Sequence, residues 1–274
     1  MAKSKIAPYT YHCHSTYSDG KNTPEEMIRE AIAMGSDSIG FSDHYFANFE
    51  TGYDIKREKI NEYKSTLYAF KEQYKGEIDI FVGTELDYFS PNVEGFEYII
   101  GSVHWISIEN ELVAVDYTAR KIIDASDKYF DGDRMLFAKR YYETVIELAE
   151  KFKFDIVGHI DLVTKFNEKD SVIDTSDRRY MTYVTDAVDA LIPTGAIFEI
   201  NTGAISRGYR TMPYPQKQVL EYIRSNGGEV IYSSDAHSKA ALFCEFDSVV
   251  EYARSIGYKS IKKLGKKGFF DVEI

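Results

Sequence analysis

The sequence predicts an α/β protein: a distorted, TIM-like (β/α)7 barrel built as a single domain over residues 1–274. Three observations carry this expectation. Strand-like and helix-like stretches alternate from end to end, which argues for parallel β/α architecture. No Pro/Gly/Ser-rich linker or low-complexity tract interrupts the alternation. Charged or imidazole residues stand at the C-terminal end of nearly every strand candidate, the sixth being the doubtful case. A closed barrel distributes its site residues in that way, whereas an open sheet gathers them at one crevice. Seven strand candidates in place of eight make the barrel a distorted one.

The first strand ends in Tyr11-His12-Cys13-His14-Ser15-Thr16-Tyr17-Ser18-Asp19-Gly20, the stretch around which the chain is organised. Side chains alternate along a strand, so His12 and His14 share one face and Cys13 takes the other. Thr23-Pro24-Glu25-Glu26 reads as a capping box with proline at the first helical position. Met27, Ile28, Ala31 and Ile32 supply the helical period, and Gly35 ends it. A short strand over 38–42 runs into Asp43-His44. Asp54 then opens a long amphipathic segment carrying Ile55, Ile60, Tyr63, Leu67 and Phe70 up to Gly76.

A third strand over 78–82 continues into Gly83-Thr84-Glu85-Leu86-Asp87, and a fourth over 98–103 ends at His104. The segment 131–151 is helical by period, with Leu136, Tyr141, Val145 and Leu148 along one stripe. Strand five, 154–158, delivers His159. A helix over 177–191 precedes strand six, 196–201, and a helix over 213–225 precedes the last strand, 229–234, which ends at Asp235-Ala236-His237. The basic tail around Lys259, Lys262, Lys263, Lys266 and Lys267 reads as a solvated face or a terminal hairpin.

At 274 residues and 44% hydrophobic, the chain can bury a full core. It lacks the run of about 18 apolar residues that a membrane span requires. The start, Met1-Ala2-Lys3-Ser4-Lys5, is basic without an apolar region or cleavage site, so no secretory signal is expected. Cys13 and Cys244 form neither a C-x-x-C motif nor a disulfide framework, which fits a reducing, cytoplasmic setting. A net charge of −11 argues against wide contact with nucleic acid, but leaves room for a small anionic substrate met by local cations.

Any one of the histidines, taken singly, would read as a hydrogen-bonded core residue. All six, His12, His14, His44, His104, His159 and His237, close strand candidates. Asp19, Glu85 and Asp235 stand at the same level, with Asp43, Asp87 and Asp161 close by. Imidazole plus carboxylate without paired cysteine suits Zn, Mn or Fe(II). Nine such residues exceed what one ion needs, so two or three ions are implied. Clustered ions of this kind point to hydrolysis, most naturally at phosphorus. The chain carries neither the G-x-x-x-x-G-K-[ST] loop nor the Rossmann glycine fingerprint, which argues against nucleoside triphosphate or dinucleotide chemistry.

Together, His12-Cys13-His14-Ser15, Ser18-Asp19-Gly20, Ser42-Asp43-His44, Gly83-Thr84-Glu85, Ser102-Val103-His104, Gly158-His159-Ile160-Asp161 and Ser234-Asp235-Ala236-His237 resemble the polymerase-and-histidinol-phosphatase (PHP) family. The resemblance runs from about residue 9 to 237 with all motifs in order. It implies a distorted seven-stranded barrel and a trinuclear centre. His12, His14, Glu85 and Asp235 would hold one ion, and Glu85 would bridge to a second held by His104 and His159. Asp19, His44 and His237 would hold the third.

Chain length and the stretch Phe198-Glu199-Ile200-Asn201-Thr202-Gly203…Arg207-Gly208-Tyr209-Arg210 are similar to the histidinol-phosphate phosphatase branch. That branch implies hydrolysis of L-histidinol phosphate in histidine biosynthesis, with a hydroxide bridging two ions as the nucleophile. It also implies an arginine after strand six on the phosphate, carried over to Arg207, with Arg210 as the neighbouring candidate. Lys165 occupies the place of a second basic residue, where a point charge replaces an arginine's fork. Arg207 is expected to serve the phosphate without touching the metals, and Asp161 is a candidate to protonate the leaving alkoxide. Asp87 or Asp161 could meet the substrate amine.

Two competing readings remain at this level. A phosphoesterase acting on nucleotides or short oligonucleotide ends would call for stacking aromatics and a positive groove. A catalytically silent metal-binding module would ordinarily be fused to a polymerase and lack some ligands.

Overall fold

The structure is a computed structural model and describes residues 6–274; the basic start read above as lacking a secretory signal, residues 1–5, lies outside them. Its strands in chain order are β1 (Tyr9–Thr10), β2 (Ser38–Phe41), β3 (Asp79–Asp87), β4 (Tyr98–Ser102), β5 (Trp105–Ile108) and β6 (Glu111–Ala114). They are followed by β7 (Ile156–Val157), β8 (Ile197–Asn201), β9 (Val230–Ser233), β10 (Ser260–Gly265) and β11 (Gly268–Glu273). One sheet runs β1-β2-β3-β4-β7-β8-β9-β10-β11, parallel from β1 to β9 and antiparallel at the final hairpin.

The seven parallel strands β1–β4 and β7–β9 close on themselves. Just past β1, the His14 amide donates to the Ala236 carbonyl at 2.9 Å and the Ala236 amide donates to the His12 carbonyl at 3.3 Å. Cys13 and Ala236 thereby form a parallel bridge beyond the formal strand ends. Closure falls at the level of the histidines, so it brings the first and last motifs of the chain side by side. This is the distorted barrel that the alternation predicted.

The helices begin where the sequence says they should. Helix α1 (Pro24–Ala33) starts with the full capping box: the Thr23 hydroxyl accepts from the Glu26 amide at 3.3 Å, and the Thr23 amide donates to Glu26 Oε2 at 2.8 Å. Helix α2 (Ile60–Gln73) buries Ile60, Tyr63 and Leu67, the apolar stripe of the 54–76 segment, but begins later than Asp54, after a short 3-10 turn over Arg57–Lys59. Helix α4 (Arg134–Lys151) follows helix α3 (Ala119–Tyr129). Among the described residues, no helix is long and apolar enough to cross a membrane.

Three features depart from the sequence expectation. Strand β3 extends to Asp87, so Thr84 and Glu85 are strand residues and not a loop beyond one. Residues 105–130, which carried no expected element, form the β5–β6 hairpin and α3. The hairpin turns on Glu109 and Asn110, with φ of 50° and 67°, the left-handed pair that a two-residue hairpin needs. Neither residue is glycine, which hides the signal. Finally, the basic tail is a hairpin in which several lysines are paired: Lys263 Nζ lies 2.6 Å from both Asp37 carboxylate oxygens, Lys262 meets Glu229 and Asp271, and Lys266 meets Asp79.

Tyr98 ties β4 to the strands that carry the first two motifs. Its hydroxyl donates to the carbonyls of Tyr11 at 2.6 Å and Phe41 at 3.0 Å. The ring lies over Gly40 and Gly83, where an added Cβ would come within 2.5 Å and 2.3 Å of it. Those two glycines are therefore required by close approach and not by backbone angle.

Candidate metal centre

Strands and the segments that follow them bring all nine candidate ligands to one place. Four groups of His, Asp and Glu have ligand atoms within 4.8 Å of one another: His14, Asp19, His44 and His237; His12, His14 and Asp235; His12, Glu85 and His159; His44, Glu85 and His104. Glu85 sits at the hub. Its Oε2 faces His12 Nε2 at 3.1 Å, His14 Nε2 at 3.6 Å and His44 Nδ1 at 3.0 Å. Its Oε1 faces His159 Nε2 at 3.1 Å and His104 Nε2 at 3.5 Å. The two oxygens thus address different sets of imidazoles. Asp235 Oδ1 lies 3.3 Å from His14 Nε2, and Asp19 Oδ2 lies 3.2 Å from His237 Nε2. His44 stands between two groups, its Nδ1 toward Glu85 and its Nε2 3.9 Å from Asp19.

The fit of this arrangement to cations can be tested on its polar atoms. His12 Nε2, both ring nitrogens of His14, and both oxygens of Glu85 are buried without a hydrogen-bond partner. Some approach to 3.1 Å, yet none is aligned as donor to acceptor; they are aimed at shared points between them. Burial, then the neighbouring His237 and His44, holds His14 neutral with a pKa lowered to about 3. Burial alone would lower His44 too, but Glu85 and Asp19 outweigh it and push it up to about 10. Burial would raise Glu85, yet His12, His104 and His44 hold it well below the usual carboxylate range. Lone pairs converging in a buried space call for positive charge between them, and imidazole with carboxylate is the donor set of Zn, Mn or Fe(II). The residues fit divalent metal.

Supporting contacts hold the ligands in place. Asp43, fully buried, accepts from the Ser15 amide at 2.8 Å, the Ser18 amide at 3.1 Å and the Ser18 hydroxyl at 2.6 Å, bracing the loop that carries Asp19. Asp87 accepts from the His104 amide at 2.7 Å. The sequence reading missed Glu199 as a functional residue. Its Oε1 accepts from His12 Nδ1 at 2.7 Å, and its Oε2 accepts from the His159 amide at 3.0 Å and Asn201 Nδ2 at 2.9 Å. A carboxylate on Nδ1 leaves Nε2 of His12 for the centre. A glutamate within the apolar run 196–201 was the available signal.

The centre opens into a cavity of about 340 Å³ lined also by Tyr53, Asp116, Tyr117, Leu162, Lys165, Arg207 and Tyr209. Lys165 and Arg207 reach it, as expected, but neither is idle. Lys165 Nζ donates to the Asp116 carbonyl at 2.9 Å and to Asp116 Oδ2 at 3.0 Å. Arg207 donates to the Asp235 carbonyl at 2.9 Å and Asp235 Oδ2 at 3.0 Å, and its Nη1 lies 2.8 Å from His237 Nδ1. Arg207 was expected to serve the phosphate without being a metal ligand; the structure adds that it braces Asp235 and adjoins His237. Gly203 permits this, since a Cβ there would come within 2.3 Å of Asp235 and 2.8 Å of Arg207.

Two expected residues are placed elsewhere. Asp161 is fully buried beneath the 3-10 turn Leu162–Thr164, its Oδ2 accepts from the Gln216 amide at 2.9 Å, and it does not line the cavity. Arg210 donates to the Thr164 hydroxyl at 2.8 Å and stacks over Tyr214 at 4.3 Å, facing a different cavity. Neither is in position to protonate a leaving group or hold a phosphate at the centre. Asp87, committed to backbone amides, is likewise not on the cavity wall.

Residues 10–203 match the PHP domain family. The chain belongs to the PHP family. It is 24% identical to a Schizosaccharomyces pombe protein described as "Probable histidinol-phosphatase", over 94% of this chain and 90% of that one. It is 22% identical to the histidinol-phosphatase of Bacillus subtilis, over 88% of this chain and 97% of that one. The fold is similar to that of Lactococcus lactis histidinol phosphate phosphatase, solved with Zn, L-histidinol and phosphate: the TM-score is 0.71 at 19% identity, covering 96% and 98% of the two PHP chains.

Because Glu199 fixes one candidate ligand by its ring and another by its backbone, replacing it should weaken the centre without removing a ligand. Glu199→Ala is expected to lower affinity for Zn about 10- to 100-fold in a chelator competition. An unchanged affinity would mean that the barrel walls alone orient His12 and His159.

Proposed function

We propose that this PHP protein is a metal-dependent phosphomonoesterase that hydrolyses L-histidinol phosphate to L-histidinol and phosphate, with three divalent ions at its centre. One observation carries the reading: nine converging imidazole and carboxylate ligands open onto a small cavity whose wall presents two cations, Arg207 and Lys165. The relatives named for histidinol-phosphatase activity support the choice of substrate. A role in histidine biosynthesis in the cytoplasm accords with it.

In this reading His12, His14, Glu85 and Asp235 would hold one ion, Glu85, His104 and His159 a second, and Asp19, His44 and His237 the third. The division of Glu85 supports its bridging role, since Oε2 faces His12 and His14 while Oε1 faces His104 and His159. Bound divalent ions supply a strong nucleophile from water near neutral pH and offset charge on the phosphate.

The rest falls to the chain's own side chains. Arg207 offers a planar fork to two phosphate oxygens, and its contacts with Asp235 fix that fork before substrate arrives. Burial works against charge on Arg207, but Asp235 outweighs it and keeps the guanidinium firmly protonated. Lys165 adds a second cation from the segment after the neighbouring strand, β7. Leu162 and Tyr209 form apolar wall between them, limiting water around the ester.

The substrate reading is tested by rate comparison. Histidinol phosphate should exceed adenosine monophosphate in kcat/KM by at least about a hundredfold, because discrimination must come from the alcohol half. Comparable rates would favour the general phosphoesterase. For Arg207, alanine should lower kcat/KM by roughly 10² to 10³, the scale of losing one preorganised donor. Unlike removal of a free phosphate clamp, it should also loosen metal held by Asp235 and His237, and lysine should restore only part of the rate. Normal turnover in the alanine variant would leave Lys165 as the phosphate-binding cation.

A further inference from the structure

The loss of Asp87 and Asp161 from the cavity leaves one question about the alcohol half of the substrate. Among the described residues that line the cavity, and outside the nine candidate ligands, Asp116 is the one carboxylate. It follows the β5–β6 hairpin, with the Val115 amide anchored on the His104 carbonyl at 2.8 Å. Its side chain remains about a third exposed, at 30%. We propose that Asp116 is the receptor for an ammonium group on the substrate, so that the site selects aminoalkyl phosphates over phosphates of uncharged alcohols. This deepens the phosphomonoesterase reading and rests on it.

The argument is one of charge exchange. Lys165 neutralises Asp116 through its contact with Oδ2, while Oδ1 has no hydrogen-bond partner among the described residues. Burial would raise this carboxyl, but Lys165 and then His104 outweigh it and hold it down to about 2, so it is ionised across the physiological range. An arriving phosphate competes for Lys165. A carboxylate stripped of its cation inside a partly enclosed cavity is costly, unless the ligand brings a replacement. A zwitterionic ester does: its phosphate takes Lys165 and its ammonium takes Asp116, and no charge is left unpaired.

Asp116 could instead serve merely to position Lys165. The lysine is, however, already held by the Asp116 main-chain carbonyl at 2.9 Å, a contact that needs no carboxylate. The surroundings also suit a cation. Tyr53 and Tyr117 stand beside Asp116 on the same wall, and aromatic faces attract ammonium groups. Tyr53 is fixed by accepting a hydrogen bond from Trp105 Nε1 at 2.8 Å. The same three residues border a second cavity of about 610 Å³, which gives room for the remainder of an alcohol group beyond the ammonium.

The test compares ligands that differ only in the amine. Metal-loaded wild type and Asp116→Asn are titrated calorimetrically with 3-aminopropylphosphonate and with propylphosphonate, which are not hydrolysed. Wild type should prefer the amine by about 10- to 100-fold, the range of a charge-assisted hydrogen bond. Asp116→Asn should abolish that preference by losing affinity for the amine while binding propylphosphonate at least as tightly as before, since no carboxylate is then left without its cation, and Asp116→Ser should do the same, guarding against a folding defect peculiar to the amide. Wild type without preference, or variants that lose affinity for both phosphonates equally, would overturn the assignment. Turnover of histidinol phosphate by the wild type is measured alongside: its absence would sink the phosphatase reading, whereas the binding comparison would still decide the role of Asp116.

Discussion

The structure is governed by a buried carboxylate that has no hydrogen bond of its own. Glu85 presents both oxygens to five imidazole nitrogens at 3.0–3.6 Å, and His14 beside it keeps both ring nitrogens unpartnered. In a purely structural core such groups would pair off, because an unsatisfied buried polar atom is expensive. Here the fold prevents pairing. Closure of the barrel through Cys13 and Ala236, the strap of Tyr98 across Gly40 and Gly83, and the grip of Glu199 on His12 and the His159 amide all hold lone pairs toward common points. The barrel supplies the stability that holds these lone pairs toward sites suited to positive charge.

What the sequence made legible follows from the same geometry. The cluster of candidate ligands was readable because a barrel strand ends in its site, so a histidine or carboxylate that terminates an apolar run is already placed by strand alternation. His44 after 38–42 and His159 after 154–158 are examples. Asp161 was misplaced for the complementary reason. Four residues beyond β7, Asp161 precedes a 3-10 turn that starts at Leu162, and its side chain is turned toward the Gln216 amide. No period or spacing announces such a turn. Glu199 was within sight but unassigned, since one acid in a buried strand has no local pattern to mark its partner on another strand.

The division of labour within the cavity matches that difference in legibility. The groups facing the phosphate and the metals come from the repeating β/α frame and from the short helix-and-loop after β8. The residues proposed for the alcohol half, Asp116 and Tyr117, follow a hairpin inserted between β4 and α3, outside the repeat. Its Glu109-Asn110 turn lacks the glycine that would have flagged it. Irregular insertions on a rigid scaffold are where specificity is ordinarily built, because they can change without disturbing the frame.

The central claim is that the two oxygens of Glu85 serve two separate cations. Crystals of the protein grown with Zn and measured on both sides of the Zn absorption edge would locate each ion directly. The account predicts three anomalous peaks: one within bonding distance of His12, His14 and Asp235, one beside His104 and His159, and one beside Asp19, His44 and His237, with Glu85 shared by the first two at about 2.0–2.2 Å. A single peak, or Glu85 outside bonding distance of any peak, would contradict it.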